Sequence, residues 1–206
     1  MRFSELFEMP TFIPRELPTT DVKVHVASVD TLDRDYELLG NTQRHNQKII
    51  AAIKKDRSQA IIGPAVQRSD GKPSMDVIVT IKFHEAPDLG EVAGHNAIQV
   101  DTVVSAEDIR GFGYGYMLYK MLLNRGYTVV SDNIQYIGGR KLWEKILRQS
   151  SKDNHNVFIL QNGKYLRDAN GAPLVYDGVN ISADDIWSTD KRSEPHYYTL
   201  LVAKNI

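Results

Sequence analysis

The chain contains no cysteine. That absence excludes disulfides, thiolate metal sites and a cysteine nucleophile together. No apolar run approaches the roughly 20 residues that span a bilayer. The first residues show neither the basic start nor the apolar stretch of a secretory signal. A cytoplasmic protein with no membrane partner is therefore expected. No charge of one sign dominates, since 25 basic residues face 26 acidic ones for a net charge of −1. That balance does not draw the whole molecule toward nucleic acid, although local basic patches stay open. The six histidines stand at no metal-ligand spacing, so no metal is expected. Two nucleotide-binding signatures are missing as well: no Gly-Lys-Ser/Thr follows a glycine loop, and no Gly-x-Gly-x-x-Gly opens a helix. The hydrophobic share of 42% over 206 residues is enough for one folded body. We divide the chain into an N-terminal arm, residues 1–20, and a single domain, residues 21–206.

What is present centres on residues 97–121. Ile98, Val100, Val103 and Val104 form a β-branched run. A polar turn, Ser105 to Asp108, follows, and then Arg110-Gly111-Phe112-Gly113-Tyr114-Gly115. Met117, Leu118, Met121 and Leu122 recur at helical spacing directly afterwards. The order strand, glycine-rich loop, helix N-terminus is a phosphate cradle. Unpaired N–H groups and the helix dipole attract an anion, and glycine lets it approach the backbone. The plain alternative is a glycine-rich turn that only packs a helix on a sheet. Arg125-Gly126 ends the helix, Tyr127 to Val130 reads as a short strand, and Gly138 to Leu147 reads as a second amphipathic helix.

Arg110, Gly113 and Gly115 fill the pattern Arg/Gln-x-x-Gly-x-Gly/Ala. This loop resembles the pyrophosphate-binding loop of the GNAT superfamily, the acyl-coenzyme-A-dependent N-acyltransferases. Leu142-Trp143-Glu144-Lys145-Ile146 is similar to that family's Leu-Tyr-Glu-Lys-Leu helix. Ser131-Asp132, Gln135, Gly138-Gly139 and Leu142-Trp143 look more specifically like acetyltransferase-like proteins of tailed phages. The resemblance covers about residues 75–148, with the core motif at 97–148. It implies an α/β (α+β) GNAT fold, a mixed central sheet flanked by helices. Acetyl-CoA would be the co-substrate, and the acceptor an amine, whether a small molecule or a protein lysine. The location would be the host cytoplasm if the chain is phage-encoded.

By the same resemblance Arg110, Gly111, Phe112, Gly113, Tyr114 and Gly115 would hold the pyrophosphate. Val103, Val104 and Ser105 would pair with the pantetheine arm through backbone groups, as an added strand does. Backbone N–H groups near Val104 would polarise the thioester carbonyl. The family's usual strand glutamate falls near Ala97 here, and its helix tyrosine is Trp143, so neither proton-transfer group is in its usual place. Asp132 is the first candidate for base or ammonium partner, with an Asx turn or helix cap as its alternative. Tyr136 is the second, as proton donor to the thiolate. Ser131, Asp101, Glu91 and His95 complete the set, while His84 and His95 are expected in solvent. A catalytically inactive interaction protein, or an acetyl-CoA-binding regulator, is the rival reading.

Elsewhere, Pro10, Pro14 and Pro18 break the N-terminal arm, which would pack on the body or dock a partner. Val22–Val29 alternates as a strand. Asp30 or Thr31 would cap a helix over 32–39, and Ile49, Ile50 and Ile53 would line a second helix over 42–56. Gln59–Arg68 reads as a strand broken at Gly63-Pro64, and Asp76–His84 as its hairpin partner. Two closing strands, 157–160 and 197–203, would flank an insertion of about 162–195 that holds a hairpin, Tyr176 and Trp187. A homodimer stays open.

Overall fold

The computed structural model describes residues 11–13, 25–71, 73–86, 89–92, 96–106, 110–131, 134–181, 186 and 199–205. Expectations for the arm apart from 11–13, and for His95, Asp132 and Trp187, lie outside them. The described chain is mixed α/β, with an open, mostly antiparallel sheet and three α-helices.

The strands are β1 (Thr11–Ile13), β2 (His25–Ser28), β3 (Tyr36–Arg44), β4 (Gln47–Lys54), β5 (Gln59–Gln67), β6 (Pro73–Val77) and β7 (Val79–Glu85). They continue with β8 (Ala97–Ser105), β9 (Thr128–Val130), β10 (Ile134–Tyr136), β11 (His155–Gln161), β12 (Lys164–Tyr165) and β13 (Thr199–Asn205). The helices are α1 (Val29–Asp35), α2 (Tyr114–Asn124) and α3 (Ile137–Gln149). The main path across the sheet runs β12-β11-β13-β9-β8-β7-β5-β4-β3. Strand β6 branches from the end of β5 and carries β2, while β1 pairs separately with β10, in parallel. The arm thus adds a short strand beside the segment that follows β9.

One predicted helix is replaced and another is shortened. Residues 36–54 form the antiparallel β3–β4 hairpin in place of the helix over 42–56 and of the second half of the helix over 32–39. His45 (φ 48°) and Asn46 (φ 61°) make its two-residue turn, the left-handed pair that matches strand twist. Ile49 and Ile53 are four apart and share a face, which reads as helical, but the intervening residues are buried too. Ile49, Ala51 and Ile53 face one core, and Ala52 faces the other with Ile50 beside it. Burial on both faces of a central strand removes the alternation that would have marked it. The short helix α1 starts earlier than predicted, at a Ser28 cap whose hydroxyl accepts from the Thr31 N–H at 3.2 Å.

Strand β5 runs unbroken through Gly63-Pro64, and the predicted Asp76–His84 strand instead splits at Ile78. Both follow from one crossing. Residues 59–62 of β5 pair with β7, and residues 65–67 pair with β6. Ile78 donates its N–H to Ile62 O at 3.0 Å where the partners change. A Cβ on Gly63 would sit 1.7 Å from the Asp76 carbonyl oxygen. Glycine is therefore a packing requirement there, not a strand break.

Helices α2 and α3 lie on one face of the sheet. Leu118, Tyr119, Leu122 and Leu123 of α2 pack with Trp143, Ile146 and Leu147 of α3 against Ile81, Ile98 and Val129. Each large apolar side chain so buried contributes about 2 kcal/mol. Helix α2 stops as expected, with Gly126 in the left-handed region (φ 83°). Beyond the core, β11 and β13 pair antiparallel, and Asn162-Gly163 turns β11 into β12. Gly63→Val is expected to destabilise the fold by about 3 kcal/mol, because backbone cannot yield to the new side chain. Urea unfolding with an unchanged slope and a lower midpoint would show it.

Candidate functional site

The site is a fork in the sheet. Strand β8 pairs with β9 in parallel for only three residues, Ala97↔Thr128, Ile98↔Val129 and Gln99↔Val130. Past that point β9 turns toward β13. Ser131 donates its N–H to Leu201 O at 2.8 Å, and its Oγ accepts from the Leu201 N–H at 3.0 Å. Gln99 Nε2 donates to Ser131 O at 3.3 Å and pins the apex from the β8 side. Strand β8 continues with β7 alone, through Thr102↔Lys82, Val103↔Ile81, Val104↔Thr80 and Ser105↔Val79. The register shift at Lys82/Phe83 leaves Asp101 as an extra residue, a β-bulge just beyond the apex. Among the described residues no strand pairs with the other edge of β8 over 101–105. Asp101 is exposed there and Thr102 to Ser105 are partly exposed.

That open edge leads into the glycine loop. Gly111 (φ 85°) and Gly113 (φ 84°) are both left-handed, a conformation costly for other residues. Phe112, between them, is 53% exposed. Gly113 is the N-cap of α2, with no side-chain cap and no acid in the first turn. Met117 donates to Gly113 O at 3.0 Å, and the N–H groups before it have no acceptor one turn back. Two cations stand at this end. A Cβ on Gly113 would lie 2.6 Å from Lys145 Nζ, which is also 5.4 Å from the Tyr116 ring. Arg44 Cζ lies 4.8 Å from the Tyr114 ring. Among the described residues neither Lys145 nor Arg44 has a carboxylate within ion-pair distance. Cations at a helix N-terminus are repelled by its dipole. An anion between the cations and the open N–H groups would satisfy all of them.

The sequence-chosen residues separate here. Val103, Val104 and Ser105 lie on the open edge, and Gly111, Gly113, Tyr114 and Gly115 form the turn into α2. Arg110 is exposed at the start of that turn. Ser131 is 2% exposed; its N–H donates to Leu201 O, its Oγ accepts from the Leu201 N–H and its carbonyl accepts from Gln99, so it is buried at the apex and holds the fork. Tyr136 lies in β10, with Ile13 as its backbone partner. Glu91 is a latch: its Oε2 accepts from the Tyr165 N–H at 3.0 Å and its Oε1 from Arg167 at 2.7 Å. The Tyr165 N–H and the Arg167 guanidinium hold its carboxyl below the usual range. Asp101 is bonded to His84, with Nδ1 and Oδ1 2.8 Å apart, so His84 is not simply solvated. Ala97 and Trp143 are both in the core, Trp143 edge-on to Tyr119 at 5.9 Å. Tyr176 is buried, with its N–H on Val157 O at 2.8 Å, and anchors the insertion.

Arg44 and Lys145 escaped the sequence reading. Arg44 was assigned to a helix, although the His45-Asn46 turn beside it was the available signal. Lys145 carried no signal beyond its place in the Leu-Trp-Glu-Lys stretch. No family model, no curated protein and no solved structure matches the chain.

Ser131→Ala is expected to cost about 1–2 kcal/mol, because the Leu201 N–H loses its buried acceptor. Thermal unfolding would read that loss. Glu91 contributes stability that is complete above its unfolded value of 4.5 and fades as pH falls through its lower folded value. Glu91→Gln is expected to flatten the loss of stability on acidification, as seen by unfolding midpoints measured down the acid range.

Proposed function

We propose that the protein is an acyl-CoA-dependent N-acyltransferase of the GNAT type, transferring acetyl from acetyl-CoA to an amine. The observation that carries this reading is the fork of β8 and β9, with an open β8 edge over 101–105 and, later in the same stretch of chain, an uncapped helix N-terminus at Gly113. An extended, amide-rich ligand arm supplies what the missing strand would, by pairing with β8 over 101–105. A pyrophosphate fits where the arm ends. The left-handed glycines clear the backbone, the first N–H groups of α2 point outward, and Lys145 and Arg44 supply charge. The fork and the cradle follow one another along the chain, in the order of the pantetheine and pyrophosphate of one ligand.

The amine nitrogen attacks the thioester carbonyl, and the thiolate leaves. Backbone N–H groups on β8 beyond the apex are placed to stabilise the developing oxyanion. The acceptor would approach the same carbon from the sheet face opposite α2. A second reading, an acetyl-CoA-binding regulator, draws support from the burial of Ala97 and Trp143 at the family's usual proton-transfer positions. It shares the ligand and differs in turnover.

Calorimetric titration with acetyl-CoA tests the reading. The parent is expected to bind. Gly113→Asp, which puts a carboxylate in the cradle, is expected to abolish binding, and Lys145→Ala to weaken it about tenfold. A folded parent with no affinity, or a Lys145→Ala variant of unchanged affinity, contradicts the cradle.

A further inference from the structure

The two cations at the N-terminus of α2 are held by rings. Lys145 Nζ lies 5.4 Å from the centre of the Tyr116 ring, and Arg44 Cζ lies 4.8 Å from that of Tyr114. Among the described residues neither has a carboxylate within ion-pair distance, whereas Lys120, Arg140 and Arg167 reach one at 2.5, 2.9 and 2.7 Å. The difference matters for charge. A carboxylate would hold an ammonium and also neutralise it. A ring within about 6 Å attracts the ammonium through its quadrupole and carries no net charge. The positive charge is left for a ligand.

Tyr116 is itself fixed at its far end. It sits on the first turn of α2, half-buried, and packs against the core. Its hydroxyl donates to Asp153 Oδ2. Lys120, one turn along α2, donates to Asp153 Oδ1 at 2.5 Å. Asp153 stands just past α3, which ends at Gln149, and a helix dipole repels a carboxylate there. Its N–H donates to Gln149 O at 3.0 Å, which ties its backbone to the last turn, and its side chain is 11% exposed. The contacts run in series from Asp153 to the Tyr116 hydroxyl, and from the Tyr116 ring to Lys145 Nζ. That ammonium stands against Gly113, where a Cβ would meet it at 2.6 Å. Thus α3 supplies a carboxylate at 153 and an ammonium at 145, and Tyr116 of α2 spans them. Lys120 takes up the charge of Asp153, so the carboxylate anchors the ring and Lys145 keeps its charge.

We infer that Tyr116 is a positioning residue of the anion cradle. It holds the Lys145 ammonium beside Gly113 with its charge uncompensated, and Asp153 holds Tyr116. This rests on the acyltransferase reading above, in which Lys145 meets the pyrophosphate. Tyr116 acts through Lys145, so its effect on affinity disappears when the ammonium does.

The test is calorimetric titration of the full-length protein with acetyl-CoA in two backgrounds, the parent and Lys145→Met. Lys145→Met is expected to weaken binding about tenfold. Tyr116→Leu is expected to weaken it about fivefold in the parent and to change nothing in Lys145→Met. Tyr116→Phe, which keeps the ring and removes its anchor, and Asp153→Asn are each expected to cost about threefold, again in the parent alone. A residue that only packs the core would lower affinity by the same factor in both backgrounds. Unfolding midpoints identify a variant that has not folded, and if Tyr116→Leu is one, Tyr116→Phe decides. Equal losses in both backgrounds, or parent affinity in the deciding Tyr116 variant, overturn the inference and leave the cradle standing. A parent that does not bind acetyl-CoA, or a Lys145→Met variant of unchanged affinity, overturns the cradle and the inference with it.

Discussion

The short parallel contact between β8 and β9 is the constraint on which the rest depends. Parallel neighbours normally stay paired along their length, because unpaired backbone groups in a sheet are costly. Here they part after Gln99 and Val130, and each side of the fork is held by a separate device. On one side Ser131 commits its N–H and hydroxyl to β13. On the other, β8 follows β7 through a bulge at Asp101. The buried amide of Gln99 ties the two sides at the apex. The open edge is therefore built into the hydrogen bonding.

The charge distribution matches that backbone. Helix α2 has no capping side chain at its positive end, and Lys145 and Arg44 are brought to it from α3 and from the tip of the β3–β4 hairpin. Each arrangement is unfavourable alone, since a dipole end and two cations repel one another. Together they describe the outline of an anion. On the opposite face His84 of β7 and the bulge residue Asp101 of β8 form a hydrogen-bonded pair.

The sequence made the middle of the chain legible because local signals and tertiary structure agree there. Strand 97–105, the glycine turn, helix 114–124 and its Gly126 stop all follow from period, turn chemistry and capping. The first third was misread because Ile49, Ile50 and Ile53 pack on both faces of a strand, and that burial erases the period that separates strand from helix. Gly63 was read as a break because its role is a close approach to Asp76 from another strand, which no local window contains. The site divides in the same way. The cradle is a contiguous motif and was visible. The His84–Asp101 pair joins residues 17 apart through a bulged register, and Arg44 and Lys145 come from elements far from the loop. Ser131, at the end of β9, holds the fork because its N–H and Oγ bond Leu201 of β13 and its carbonyl accepts from Gln99 of β8.

The most direct measurement is amide chemical-shift mapping of the protein with coenzyme A added. The account predicts saturable shifts in two clusters that move together: the β8 edge over 101–105 and the α2 N-terminus over 113–116. The β3–β5 crossing around Gly63 should stay still. Shifts confined to some other surface, or none at ligand concentrations that saturate a specific site, would contradict a fork and cradle built for one ligand.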